Sequence, residues 1–266
     1  TLEHCGLREV KTATKYGLVF FNLDDDCMSL DDFLGDALES MKAALTEVDL
    51  EVFHFHRAVV RGNWKDWQAT NMDPYHELMH AVVRQTNILT VKGMEGRQIK
   101  LYPNGHARFT GMVADYTKHE STRRRDQAKS LPGVDPEAFQ SVPLFPNGVV
   151  ATRGTVMRID VTTPLTPLTT LVEWRGLCVK GDSPEDRIMR INHHNEFWGP
   201  CSTNMPEDFY GVEAIGKGFG LGGARYQVIA REENLRGQDD GIMRGFFAAW
   251  SHFMGRPASD PDNTRH

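Results

Sequence analysis

Cysteine is scarce in this sequence, and its spacing excludes several classes of protein. The chain has four cysteines in 266 residues, and none of them forms a CxxC or CxH pair. A disulfide-stabilised fold, a structural zinc site and an iron–sulfur cluster held by such pairs are therefore excluded. We expect a protein of a reducing compartment, that is, of the cytoplasm.

The sequence also lacks long apolar runs and any excess of positive charge. No apolar stretch approaches the roughly 20 residues of a transmembrane helix, and no cationic start with an apolar core marks a signal peptide. Thirty Lys and Arg stand against 36 Asp and Glu, which gives a net charge of −6. We therefore expect neither a nucleic-acid nor a membrane partner. The basic run at 123–125 lies among acidic residues and is interpreted as a solvated loop.

What is present is the composition of an ordinary globular protein, with 40% hydrophobic and 25% charged residues. No repeat or linker divides the chain, so residues 1–266 are expected to form a single domain. Pro-Asn-Gly turns at 103–105 and 146–148 favour hairpins. This pattern predicts an α+β fold in which one curved antiparallel sheet packs against helices. Strands are predicted at 17–23 (a buried one), 51–60, 155–163, 169–179 and 225–230.

Helices are predicted at four places, each from a capping residue or from apolar periodicity. The clearest start is Asp73-Pro74, which suits an N-cap and the first helical position. The four predicted helices run from Ser29 to Leu45, over 73–84, from Ser183, and from Asp239-Asp240 to the Phe253 region.

The chemically most informative segment is His76-Glu77-Leu78-Met79-His80, which places two histidines four residues apart. On a helix this spacing puts both imidazoles on one face, within reach of one metal ion. As HExxH it also matches the zinc-protease signature, in which Glu77 would be the general base. However, Pro74 implies that the helix starts here, whereas a zinc-protease helix begins well upstream. The other interpretation of Glu77 is an ordinary acid in the first turn of a helix.

A longer pattern surrounds this segment. Residues 63–80 contain NWK…N-x-D-x-YH-x(3)-H, which resembles the iron-binding segment in the catalytic domain of Rieske-type ring-hydroxylating oxygenase α subunits. Three other segments resemble that family in the same order: KYGLVFFNLDDD (15–26), RINHHNEFWGPCSTNMPEDFYGVE (190–213) and GIMRGFFAAWSHFMGR (241–256). The likeness runs from about residue 7 to residue 256. It implies the family's helix-grip, START-like catalytic fold.

The resemblance implies a mononuclear Fe(II) held by His76, His80 and Asp208. Two histidines and one carboxylate leave coordination positions open for O₂ and substrate, as non-haem iron oxygenases require. Glu207 is a neighbouring rival to Asp208. Asp239 and Asp240 are further rivals, although their more natural role is helix capping.

The resemblance also assigns residues around the iron. Asp73 matches an aspartate that connects an iron-ligand histidine to a cluster-ligand histidine of a neighbouring subunit, and this role is compatible with helix capping. Asn71 resembles a nearby asparagine of the family. Phe197 and Trp198 are candidates for lining the substrate pocket, with core packing as the alternative.

The activity that the resemblance implies is hydroxylation of an aromatic substrate with O₂. Electrons would come from a ferredoxin and reductase chain through the [2Fe–2S] cluster of a neighbouring subunit, in an α3 or α3β3 oligomer. The Rieske motif is a CxH pair followed by a CxxH pair, and this sequence has neither. We therefore expect the catalytic domain without the Rieske domain, and little turnover by this chain alone.

Two further functions stay open from the residues alone. HExxH leaves a zinc metallohydrolase, and a curved sheet around an apolar cavity leaves a non-catalytic module that binds a hydrophobic ligand. GFGLGG at 218–223 satisfies GxGxxG, but a strand is predicted after it, so it is interpreted as a flexible turn near the iron site. His54 and His56 share one face of a strand and predict a polar sheet face rather than a second metal site.

Overall fold

The computed structural model describes residues 6–114, 129–222, 227–230 and 239–256. Nine strands lie in these residues: β1 (Lys11–Lys15), β2 (Leu18–Asn22), β3 (Leu50–Val60), β4 (Gln98–Leu101), β5 (Ala107–Val113), β6 (Ala138–Leu144), β7 (Gly148–Arg153), β8 (Val156–Thr166) and β9 (Thr169–Val179). Seven of them form one antiparallel sheet with the order β3-β9-β8-β7-β6-β5-β4, and β1 pairs with β2 in a separate hairpin.

Eight α-helices accompany the strands in the described part of the chain. They are α1 (Leu30–Leu34), α2 (Lys42–Thr46), α3 (Trp64–Thr70), α4 (Ala81–Gln85), α5 (Val91–Glu95), α6 (Pro184–Trp198), α7 (Met205–Gly220) and α8 (Gly241–Phe253). Short 3₁₀ turns occur at Glu39–Met41, His76–Met79 and Pro103–Gly105. The predicted α+β fold, an antiparallel sheet packed against helices, is confirmed. None of these helices combines the length and the apolar character needed to cross a membrane.

The sheet is buried where helices α6 and α7 cover it. Helix α6 packs on β8 and β9, and α7 packs on α3 and β3. Close packing of α7 depends on Gly216, because a Cβ at that position would lie 2.5 Å from the backbone oxygen of Arg61. The side chains of Trp67, Trp174 and Val212 fill the space between these elements and are almost completely buried. Helix α7 is therefore fixed against the start of α3.

Most of the sequence-predicted strands are confirmed, and one differs in its environment. The strands over 51–60, 155–163 and 169–179 and both Pro-Asn-Gly hairpins are present. The strand predicted at 17–23 also exists, but it is not buried. It belongs to the small hairpin, where the side chains of Val19 and Phe21 are 69% and 72% exposed.

The helix predicted from Ser29 to Leu45 starts correctly and then breaks. Ser29 caps α1 by accepting a hydrogen bond from the Asp32 N–H at 3.1 Å. Gly35 adopts a φ of 50° and ends this helix after five residues. Leu38 and Met41 are still buried in the core because the following 3₁₀ turn and α2 keep them on the inner side. The apolar periodicity therefore predicted the buried side correctly but not the continuity of the helix.

Predictions near the C-terminus need three corrections. Residues 227–230 of the strand predicted at 225–230 are not in a strand, and residues 225–226 lie outside the described residues. The basic run at 123–125, interpreted as a solvated loop, also lies outside them. Gly218 and Gly220 belong to the last turn of α7, so this part of the predicted turn is helical and lies at the opposite end of the helix from Asp208, whereas Gly223 lies outside the described residues. Asp240 precedes α8, yet its carboxylate does not cap it and instead accepts from the Ala230 N–H at 2.7 Å.

The face that carries His54 and His56 is covered rather than open. His54 Nε2 lies 2.8 Å from His56 Nδ1, and the His56 ring stacks on Trp174. His194 of α6 lies over them, with its ring 4.9 Å from that of His54. A Cβ at Gly176 would lie 2.6 Å from the His194 ring, so a glycine is required beneath it.

Buried neutral histidine makes the fold sensitive to acid, and His106 shows this most clearly. Its Nε2 lies 3.0 Å from the Phe33 carbonyl oxygen, and its Nδ1 accepts from the Phe145 N–H at 3.0 Å. Both nitrogens are thus satisfied only in the neutral form, and burial lowers the pKa of His106 to about 4. In the unfolded chain the pKa of this histidine is near 6.5. Between the two pKa values the unfolded chain binds the proton and the folded chain does not, so the free energy of unfolding decreases as the pH is lowered.

We therefore predict that His106→Gln removes about 2 kcal/mol of the stability loss that wild type undergoes between pH 7 and pH 5. The measurement is the free energy of urea unfolding at both pH values. The same substitution at the exposed His252 should leave the loss unchanged. An equal pH-dependent loss in wild type and His106→Gln would contradict the assignment.

Candidate metal centre

Three predicted metal ligands converge in the structure, although one of them is far away in sequence. The ligand atoms of His76, His80 and Asp208 all lie within 4.8 Å of one another. Asp208 Oδ1 is 3.8 Å from His76 Nε2 and 3.5 Å from His80 Nε2. Within the described residues, this is the only group of three or more such side chains that could hold a metal ion.

The local structure of the histidine segment differs from the predicted helix. His76–Met79 is a 3₁₀ turn, and the backbone of His80 is extended, with φ −67° and ψ 93°, before α4 begins. The continuous helix predicted over 73–84 is therefore wrong, and of its residues only 81–84 lie in an α-helix. Asp73 is not its N-cap, because its Oδ1 accepts from the Tyr75 N–H at 2.7 Å in a local turn. Both imidazoles nevertheless face the same point, with ring centroids 5.2 Å apart.

The break at His80 is held by Glu207, the acid that competes with Asp208 in the sequence. Its Oε1 accepts from the Ala81 N–H at 3.0 Å, which satisfies a backbone donor at the start of α4. Its Oε2 lies 3.0 Å from His80 Nδ1. Glu207 is therefore not directed at the ligand cluster but orients one of its members.

Hydrogen bonds also select the histidine nitrogens that face Asp208. His76 Nδ1 bonds to the backbone carbonyl oxygen of Asp73, and His80 Nδ1 bonds to Glu207. Because a carbonyl and a carboxylate accept hydrogen bonds, both Nδ1 atoms carry the proton. The two Nε2 atoms are then left with free lone pairs directed at a common point.

The third predicted ligand, Asp208, lies in the first turn of α7. Burial raises the pKa of its carboxyl group, and the neighbouring His76 and His80 act in the opposite direction. A divalent cation among the three donors would strongly favour the charged carboxylate. The rival acids Asp239 and Asp240 lie elsewhere: Asp239 pairs with Arg244 at 2.7 Å, and Asp240 bonds to Ala230.

The structure gives Asp73 and Asn71 specific contacts. Asp73 reaches His76 through its backbone carbonyl and not through its carboxylate, which bonds to Tyr75. Asn71 ends α3, and its Oδ1 accepts from Arg158 Nη2 at 3.0 Å. Both residues line the same cavity as the three candidate ligands.

The cavity beside the candidate ligands has both polar and apolar walls. Phe197 and Trp198 line it and are 1% and 2% exposed, so they are buried in the core and also border the cavity, and their role as substrate-pocket residues stays a prediction. Further apolar walls come from Val83, Ile88, Leu89, Phe109, Met112 and Phe139. Two arginines on neighbouring strands, Arg153 and Arg158, also line it, and sequence reasoning missed both. Only the alternation of Arg158 and Asp160 in β8 hinted at an inward-facing polar row.

Glu77, the proposed base of the zinc hypothesis, is committed elsewhere. Its carboxylate pairs with Arg97, whose side chain is completely buried. Burial raises the pKa of Glu77, while the charges of Arg97, His76 and Arg153 lower it. The HExxH residues also do not form a continuous helix. Glu77 therefore fixes the 76–79 turn against the segment of the same chain that contains Arg97.

We predict that Glu77→Gln lowers the free energy of unfolding by about 3 kcal/mol or more, because one charge of a buried ion pair is removed. Metal content should be retained. Urea unfolding and metal analysis provide the test. Glu173→Gln, which alters the partly exposed pair with Arg175, should cost less than about 1 kcal/mol. Unchanged stability in Glu77→Gln would contradict this role.

Comparison with known proteins adds three findings. The chain is 45% identical over 258 residues to 2-aminobenzenesulfonate 2,3-dioxygenase subunit alpha from Alcaligenes sp., covering 97% of this chain and 65% of the relative. It is 35% identical over 262 residues to methanesulfonate monooxygenase hydroxylase subunit alpha from Methylosulfonomonas methylovora, covering 98% of this chain and 63% of the relative. The chain thus spans just under two thirds of either relative. No protein-family model matches it.

Solved structures share the fold. Naphthalene 1,2-dioxygenase from Rhodococcus sp. superimposes with a TM-score of 0.73 at 17% identity, covering 92% of this chain and 66% of that chain. A quaternary ammonium Rieske monooxygenase superimposes with a TM-score of 0.70 at 19% identity, covering 91% of this chain and 62% of that chain. Over almost its whole length the chain is therefore similar in sequence to oxygenase α subunits, and it shares the fold of naphthalene 1,2-dioxygenase and of a Rieske monooxygenase.

Proposed function

We propose that this chain binds one Fe(II) through His76, His80 and Asp208 and hydroxylates an aromatic substrate with O₂. The observation that carries the proposal is the convergence of the two His Nε2 atoms on Asp208 Oδ1, beside a cavity that is lined in part by aromatic and other apolar side chains. Two neutral imidazoles and one carboxylate form a donor set typical of non-haem Fe(II) oxygenases. Bound there, Fe(II) would supply the centre at which O₂ is activated with two external electrons.

The protein residues supply binding, orientation and a dry environment. Asp208 contributes the negative charge that offsets part of the metal's 2+ charge, and the Asp73 carbonyl and Glu207 hold the imidazoles in position. Phe197 and Trp198 provide apolar surface for an aromatic ring and exclude water from the cavity. The relative that is 45% identical is named for an aminobenzenesulfonate, which supports an aromatic substrate for this chain.

We further propose that the electrons come from a Rieske [2Fe–2S] cluster of a neighbouring subunit, supplied by a ferredoxin and reductase chain. Asp73 lines the cavity next to the His76 turn and is our candidate for connecting the two centres. Asn71, which accepts a hydrogen bond from Arg158, is our candidate for supporting that connection. An α3 or α3β3 assembly in the cytoplasm would bring the neighbouring cluster to this site.

The metal assignment predicts a graded series of variants. Protein loaded anaerobically with Fe(II) should hold about one iron per chain, and His76→Ala or His80→Ala should abolish binding. Asp208→Ala should weaken it strongly, because two neutral imidazoles leave the 2+ charge uncompensated in a partly apolar site. Glu207→Gln should weaken it by about 10–100-fold, since an orienting carboxylate is lost. Iron content and affinity are the measurements.

Asp240→Ala is the matched control for the carboxylate series, because Asp240 bonds to Ala230 and not to the ligands. It should leave iron content unchanged. Retained iron in both histidine variants would overturn the site. Stoichiometric zinc together with a peptidase activity that Glu77→Gln abolishes would favour the metallohydrolase, and a metal-free protein that binds hydrophobic ligands would favour the binding module.

The electron route predicts a difference between the chain alone and the assembled enzyme. The chain alone should show no NADH-driven hydroxylation even with ferredoxin and reductase, whereas peroxide, which brings oxygen and electrons together, should give slow product. In the assembly, Asp73→Ala should keep iron, because the backbone carbonyl that bonds to His76 remains, but should reduce turnover sharply. Product analysis beside iron content tests this. Robust NADH-coupled turnover by the chain alone would contradict it.

A further inference from the structure

Three of the eleven methionines of the chain line the cavity that holds the candidate metal ligands. They are Met72, Met112 and Met205, and each of them is only 2–3% exposed. Met41 and Met157 are buried at least as deeply, but they belong to a different core cluster and do not line this cavity. A small solute that enters the cavity therefore meets thioether side chains that the bulk solution hardly reaches.

Met205 and Met72 flank the candidate ligands from two sides. Met205 is the first residue of α7, three residues before Asp208. Residues three apart on a helix are neighbours, with Cβ atoms about 5–6 Å apart. Met72 lies four residues before His76, in the segment that joins α3 to the 76–79 turn. One thioether thus accompanies the carboxylate ligand, and another accompanies the histidine segment.

The third methionine, Met112, has a polar partner at its sulfur. Nη2 of Arg97 lies 3.7 Å from Met112 Sδ, and Arg97 also pairs with Glu77. A sulfur lone pair that accepts from an N–H group is less available to attack an oxidant. We therefore expect Met112 to be oxidised more slowly than Met72 and Met205.

A thioether is the side chain in this cavity that a peroxide oxidises directly. Two electrons and two protons convert O₂ to hydrogen peroxide, and two external electrons are what the proposed reaction consumes. In the step itself, the sulfur attacks one peroxide oxygen and the O–O bond breaks. The sulfur loses two electrons, and the products are methionine sulfoxide and water, with no electron or proton left over. Methionine sulfoxide can be reduced again, so the change is reversible.

We propose that Met72 and Met205 are oxidation sites that take up the oxygen of peroxide formed in the cavity when no substrate ring is present, and so spare the metal ligands. The inference rests on the part of the proposed function that places Fe(II) at this site, where the metal would supply activation of peroxide next to these sulfurs. The side chains that this reaction spares line the same cavity: His76, His80, Trp67 and Trp198.

The test measures modification and not turnover. Hydrogen peroxide is added to the chain loaded anaerobically with Fe(II), and peptide mass spectrometry follows sulfoxide at each methionine. Met72 and Met205 should be oxidised at least 5-fold faster than Met28 and Met254, which are 47% and 53% exposed. The metal-free chain and the Zn(II)-loaded chain are the controls, because zinc has no redox chemistry. In both controls the order should reverse, since bulk peroxide reaches exposed sulfurs first.

A double variant tests the protective role. Met72→Leu combined with Met205→Leu keeps apolar side chains of similar volume, a change that cores tolerate well. Under repeated doses of peroxide it should lose its iron-binding capacity at least threefold faster than wild type, because oxidation moves to the ligand imidazoles. Met157→Leu is the matched control, since Met157 is buried outside the cavity, and it should behave like wild type. The wild-type oxidation pattern stands without these variants.

The outcomes separate this inference from the proposed function. If iron binds but Met72 and Met205 are oxidised no faster than Met28 and Met254, or equally fast with Zn(II), the inference is overturned while the metal site stands. Equal loss of iron in the double variant and in wild type would overturn the protective role. The expected oxidation pattern without hydroxylation of any aromatic compound would support this inference and count against the proposed activity. If iron fails to bind, both fail, and iron analysis identifies that case.

Discussion

The arrangement of the site depends on the contact between the first turn of α7 and the extended residue His80. Two adjacent acids in that turn have different roles: Glu207 bonds to Ala81 and His80 from one side, and Asp208 faces the two Nε2 atoms from the other. Successive helical residues are about 100° apart around the axis, so neighbouring carboxylates can reach different partners. The contact that interrupts the helix at His80 therefore also brings Asp208, the third candidate ligand, to the two histidines.

Buried ion pairs surround this contact, and their energetics indicate positioning rather than stabilisation. Arg97 pairs with Glu77, and Arg158 pairs with Asp160. Burying two charges costs several kcal/mol per ion before their attraction offsets it, and well-packed apolar side chains often serve stability as well. An apolar pair could not donate the hydrogen bond that Arg158 gives to Asn71. It also could not hold the 76–79 turn in one position as the pair of Glu77 with Arg97 does. These pairs therefore fix the position of backbone and side chains that line the cavity.

Much of the fold was predictable from the sequence, because the alternation of apolar and polar residues in strands and the residues that favour turns and helix caps act over a few neighbouring positions. The long strands β8 and β9 and the Ser183 cap of α6 follow from residues within a few positions of each element. The break at His80 was not predictable in this way, because the acceptor that replaces the helical hydrogen bond belongs to Glu207, far along the chain. For the same reason Arg153 and Arg158 could not be found: their position in the cavity follows from strand register and from α6. The ligand set itself came from the family resemblance, which carried the distant Asp208.

The two sides of the cavity make opposite electrostatic demands. Near His76 and His80, a divalent metal is favoured by neutral nitrogens and a carboxylate, and an additional cation would oppose it. Arg153 nevertheless lies on the same wall, because Phe139 and Phe197 contact its guanidinium and the negative charge of Glu77 lies within its electrostatic reach.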